Sequence, residues 1–158
     1  MTAPGTPYPQ QRRSMVLRHL ASAGFALVAT PVGIAVFDYG AGQYLRDRVV
    51  RLDDSTGPGH LLLMVLGALI LLAVAASGRV SGVGPVLAAF VWGAVPLLWF
   101  MVDFASFFDV SRDLSSTHFW FANPPFLFGL VAAMLAGAGI AGRWRGSPVA
   151  DSGWQHRT

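Results

Sequence analysis

The chain has 158 residues, of which 54% are hydrophobic and only 12% charged, with a net charge of +3 and no cysteine. Soluble domains carry about 25% charged residues, so the composition argues against a soluble globular class. The lack of cysteine removes disulfides, thiolate-held iron–sulfur clusters and thiol chemistry from consideration. Every basic residue other than histidine is an arginine, and the arginines sit at the ends of apolar segments. That placement fits membrane topology and argues against nucleic-acid binding.

Residues 1–18 are polar, with Pro4, Pro7 and Pro9 followed by Arg12, Arg13 and Arg18, and are predicted to form a disordered basic tail. The first apolar run, Leu20 to Gly40, exceeds the roughly 7–15 residues of a secretory-signal core and predicts an uncleaved membrane helix. A polar stretch, 41–59, separates it from the second run, His60 to Ser77, which carries no charge and matches a bilayer in length. A tight turn around Arg79 leads to the third run, Pro85 to Phe108. A polar-aromatic loop then precedes the fourth, Phe126 to Gly142. Residues 144–158 predict a second short tail.

The expected fold is therefore an all-α integral membrane protein, a four-transmembrane-helix bundle over residues 19–143. Helices satisfy their own backbone groups in hydrocarbon, where irregular chain would leave them unpaired. Arg12, Arg13, Arg18, Arg79, Arg143, Arg145 and Arg157 fall on one side of this topology. Arg46, Arg48, Arg51 and Arg112 fall on the other. The excess places both termini in the cytoplasm, and the expected location is a bacterial-type cytoplasmic membrane.

PVGIAVFD and PLLWFMVD each run from a proline to an aspartate, and Pro31 and Asp38 recur 65 positions on as Pro96 and Asp103. Arg46-Asp47 and Arg112-Asp113 recur at nearly the same offset. The pattern suggests two tandem hairpins, 20–79 and 85–143, related by a pseudo-two-fold along the membrane normal. Membrane thickness alone also makes hairpins resemble one another, so duplication and coincidence both remain open. Pro31 and Pro96 each remove an interior helix hydrogen bond and are expected to kink their helices. Asp38 and Asp103, nearly two turns further on, are expected near the outer rim, either as a functional pair facing the bundle or as water-facing helix ends. Arg46 and Arg112 are their candidate ion partners.

Gly129, Ala133, Gly137 and Ala141 recur every four residues and form a small-residue strip that permits close helix contact. The strip suits either a neighbour in the bundle or another protein. Ser22, Ala26 and Thr30 form a weaker strip on the first helix. The third run and its exit are aromatic, which suits core packing or a lining for a lipid tail or quinone-like ring.

No phosphate-binding loop is present, because GVG in SGVGP lacks the lysine of that motif. The four histidines and the aspartates show no metal-ligand spacing, and no nucleophile has an evident base and orienting partner. No catalytic residue, metal site or cofactor is assigned. The expected function is a small non-catalytic or accessory subunit of a larger membrane assembly. Its expected partners are the lipid bilayer and other membrane subunits or a second copy of itself. The alternatives are a small proton- or cation-linked transporter or channel using the paired aspartates, and a lipid- or quinone-handling enzyme.

Overall fold

A computed structural model describes residues 10–50, 58–114 and 125–142, with side chains described over 15–48, 58–110 and 127–142. The expected C-terminal tail, residues 1–9, 51–57 and 115–124 with His118, and the side chains of Arg12, Arg13 and Arg112 lie outside these residues. Every described element is helical. Three helices are long and apolar enough to span a membrane, Met15–Arg48, Gly59–Ser77 and Val83–Val102, and a shorter apolar helix covers Leu127–Ile140. Four full spans and the tandem repeat are not confirmed by this architecture.

α1 runs from Gln10 to Leu45 and ends in a π turn, Arg46–Val50. The segment from residue 10 to 18, expected to be disordered, is thus helical. Its Gln, Arg, Met and Leu residues are good helix formers. At 1.5 Å per residue α1 is about 54 Å long, well beyond a hydrocarbon core of about 30 Å. α2, Gly59–Ser77, is about 28 Å long on the same measure.

The third span is composite. α3 covers Val83–Ala89, a π turn covers Phe90–Ala94, and α4 covers Val95–Val102. In the π turn the Val95 N–H donates to the Phe90 carbonyl, five residues back. Pro96 follows at once. Its ring would press on the carbonyl four residues earlier in a regular helix, and the wider π turn gives it room.

The sequence suggests one helix from Pro85 to Phe108, but the chain breaks at Asp103, where φ is −140° and ψ is 80°. Asp103 then opens α5, Phe104–Leu114, its Oδ1 accepting the Ser106 N–H at 3.0 Å. This is an N-cap interaction, worth about 1 kcal/mol. α6 covers Pro125–Ile140.

α1 and α2 pack antiparallel. A Cβ at Gly67 would lie 2.7 Å from the Phe37 Cα, and one at Gly40 would lie 2.8 Å from the His60 carbonyl oxygen. Only hydrogen at Gly67 lets the two backbones touch. The third span and α6 pack antiparallel in the same manner: a Cβ at Gly93 would lie 2.7 Å from the Ala132 Cα, and one at Gly139 would lie 2.8 Å from the Gly82 carbonyl oxygen.

α1 runs parallel to α3 and joins the two pairs of helices. It also reaches the π turn Phe90–Ala94, whereas it barely touches α4. The core is formed by Ala26 and Ile34 of α1, Leu71 and Val74 of α2, Ala88 and Ala89 of α3, and Phe107, Phe128, Val131 and Leu135 of α5 and α6. The first-helix strip Ser22, Ala26 and Thr30 is buried.

Candidate functional site

The described polar groups gather at three levels of the bundle. At the end where α2 turns into α3, Arg18 donates to the Val80 carbonyl at 3.0 Å. His19 Nδ1 and Ser81 Oγ are 2.6 Å apart. Ser22 Oγ donates to the Ser81 carbonyl at 3.1 Å, and the Val83 N–H donates to Ser81 Oγ at 3.3 Å. Ser81 is fully buried. These bonds satisfy a tight turn that would otherwise bury unpaired backbone groups. At the opposite end His60 Nδ1 lies 3.5 Å from Asp47 Oδ2. The contact is an ion-pair distance when His60 is protonated and is not a hydrogen bond. Nearby, the Arg48 guanidinium sits 5.8 Å from the Tyr44 ring centroid.

Between these ends the two prolines meet a shared solution. Pro31 has no N–H to give the carbonyl of Leu27, four residues earlier. The indole Nε1 of Trp92, in the π turn of the third span, donates to that carbonyl at 2.9 Å. A tryptophan deeper than an interfacial belt requires thus has a defined task. Trp92 precedes Pro96 by four residues, as Leu27 precedes Pro31. α1 continues through Pro31 without a break.

The paired aspartates have separate surroundings. Asp103 is exposed and occupied as the cap of α5. Asp38 is half-buried and takes part in no hydrogen bond or ion pair among the described residues. Its depth also differs from the sequence expectation. Phe37 lies against Gly67, seven residues inside the His60 end of α2's uncharged run, so Asp38 lies about 10 Å within that run rather than at its rim. The apolar run of α1 stops near Gly40, but the helix itself continues to Leu45, and the packing register sets Asp38 deep. Arg46 is exposed and pairs with nothing among the described residues. The side chain of Arg112 lies outside them.

The small-residue strip on α6 points away from its own bundle. Gly137 has open space around it, Ala133 and Ala141 are exposed, and Gly129 meets only Leu97 at 3.8 Å. The opposite face, with Phe128, Val131, Leu135 and Gly139, makes the internal contacts.

The aromatic side chains pack on one another. Phe107 is buried and meets Trp99 at 5.5 Å, Phe100 at 5.5 Å and Phe128 at 6.2 Å between ring centroids, each edge to face. Such pairs add about 0.5–1.5 kcal/mol beyond the area they bury. Among the described residues no three His, Asp or Glu side chains group as metal ligands would.

The sequence reading missed the Trp92–Leu27 bond, the Asp47–His60 contact and the Ser81 cluster. A signal existed for the first, since a proline in an apolar helix announces an unpaired carbonyl four residues back. The other two depend on which helix ends meet. Comparison with family models, curated proteins and solved structures gave no match to this chain.

Proposed function

We propose that the protein is a small non-catalytic subunit of a larger membrane assembly, seated through the outward face of α6. The orientation of that helix carries the proposal. Phe128, Val131 and Leu135 hold it in the bundle, while Ala133, Gly137 and, just past its end, Ala141 face outward beside the exposed Leu130, Met134 and Ile140. Apolar side chains gain little from meeting one another in lipid, so membrane helices associate where small residues let backbones approach. In this reading α6 is the fourth span, the setting is a bacterial-type cytoplasmic membrane, and both termini are cytoplasmic.

The transporter reading needed two matched acids, and Asp103 is engaged in capping α5. The lipid- or quinone-handling reading needed an aromatic lining. Phe107 instead packs edge to face on Trp99, Phe100 and Phe128. The tandem repeat gains no support from helix pairing. Phe37 faces Gly67, and the positions 65 later are Val102 and Ala132, but Ala132 is met by Gly93.

The chain lacks cysteine, so single cysteines report cleanly. Gly137→Cys labelled with a maleimide-benzophenone should give a higher-mass adduct on illumination in native membranes, and Leu69→Cys on the exposed side of α2 should not. A purified parent protein that is a discrete monomer and carries solute flux in liposomes would overturn the proposal. For orientation, Ser55→Cys should react with an impermeant thiol reagent in intact cells and Ser147→Cys should not.

A further inference from the structure

The α6 face accounts for one contact of the subunit and leaves Asp38 unexplained. An aspartate about 10 Å inside an apolar span is costly unless it is paired, and side chains of this sort mark functional positions in membrane helices. Asp38 has no hydrogen bond or ion pair with any described residue. It borders the outward side of α1, where Gly24, Val28, Val32 and Ala35 are exposed and Gly24 has nothing within 4 Å. Beyond the Phe90–Ala94 turn the third span no longer covers α1.

We infer that Asp38 is the docking point for a second transmembrane helix, from a different protein, that carries an arginine or lysine at the same depth and lies along the Gly24–Val28–Ala35 face of α1. The occupant follows from charge and depth. A lipid headgroup amine stays at the surface, whereas a cation held about 10 Å inside must be delivered on a spanning element. A metal ion needs several oxygen ligands, and no such group forms among the described residues. A second copy of this chain does not suit either. It has no lysine, and its arginines, at 12, 13, 18, 46, 48, 51, 79, 112, 143, 145 and 157, all lie outside the apolar runs. This inference rests on the reading of the chain as a subunit and names the chemistry of one of its partners.

The test uses the full chain, tagged and reconstituted in lipid nanodiscs with single-span Leu-Ala peptides. One peptide carries an arginine seven residues from its outer end, and the other carries leucine there. The parent chain should retain the arginine peptide at least tenfold better. Asp38→Asn, which keeps shape and removes charge, should bring the ratio close to one, and Asp38→Glu should restore it. Equal retention of the two peptides by the parent chain, or a preference that survives Asp38→Asn, overturns the inference. The parent-chain comparison stands even if the asparagine variant folds poorly. The α6 adduct is read separately. Arginine preference without a Gly137→Cys adduct removes the α6 seating and supports Asp38, whereas the adduct without the preference removes only the Asp38 docking point.

Discussion

The two antiparallel pairs, α1 with α2 and the third span with α6, are held by the same device and differ in what they leave over. Each brings two backbones together at a glycine, Gly67 on Phe37 in one pair and Gly93 on Ala132 in the other. In the first pair Gly33, Gly40 and Gly67 are spent on the internal contact, and only Gly24, far along α1 from them, has nothing within 4 Å among the α1 glycines. In the second, Gly93 and Gly139 make the internal contact while Gly137 looks outward with open space around it. Glycine spacing alone therefore does not say whether a helix face belongs to the fold or to a partner. What decides is which side chains pack inward, and on α6 these are Phe128, Val131 and Leu135, while Leu130, Met134 and Ile140 stay exposed.

The sharpest way to break that comparison is to fill the two kinds of glycine. Gly67→Leu forces a side chain into the Phe37 backbone and should cost about 3 kcal/mol or more, since the helices must separate. Gly137→Leu meets no internal atom and should shift the stability of the isolated chain by about 0.5 kcal/mol or less. Denaturant titration in detergent micelles reads both. Equal losses would mean that α6 packs with its strip inward.

A smaller effect tests how α1 and the third span share their prolines. Trp92→Phe removes the donor to the Leu27 carbonyl and should cost about 1–2 kcal/mol. Pro31→Ala supplies a native N–H to the same carbonyl, so in that background the cost of Trp92→Phe should fall by about 1 kcal/mol, within the range seen for hydrogen bonds between membrane helices. A double-mutant cycle measures this coupling directly. Additive losses would show that Trp92 contributes by packing alone.

How much of this was legible follows from the same contrasts. The uncharged run of α2 announces its own span, because nothing in it competes with lipid burial. The third span is harder. Asp103 looks like a counterpart of Asp38 in sequence, yet Asp38 continues a helix while Asp103 ends one. The next residues, with Phe107 turning into the Trp99–Phe100–Phe128 cluster, make the break favourable. The depth of Asp38 was hidden because it depends on the α1–α2 register, a property of two helices together. The outward direction of the α6 strip was hidden for the same reason, since both faces of that helix are apolar and its contacts with the third span and with α2 choose between them.

The contrast between the two aspartates gives a prediction of about 1 kcal/mol. Asp103→Ala removes the acceptor for the Ser106 N–H and should destabilise the chain by about that amount, whereas Asp103→Ser or Asp103→Asn, which also cap helices, should retain most of it. Thermal unfolding in detergent separates these variants. A loss shared equally by alanine, serine and asparagine would assign the role to charge instead of capping.

The smallest effect concerns a buried group on α1 that has no hydrogen-bond partner among the described residues. Thr30 is fully buried, and its hydroxyl makes no hydrogen bond among the described residues. Its neighbour in function, the Leu27 carbonyl, has lost its helical donor to Pro31 but regained one from Trp92, so the same stretch of α1 contains one polar group rescued and one left over. A buried hydroxyl without a partner carries a desolvation cost, and replacing it with a methyl of the same shape removes that cost. Threonine and valine are both β-branched and lose similar rotamer freedom in a helix, so the substitution changes little else. Thr30→Val should therefore stabilise the chain by about 0.5 kcal/mol in the micelle titration, the only gain among these variants. A loss of similar size would show that the hydroxyl is engaged in the working protein, by bound water or by a donor from a partner helix.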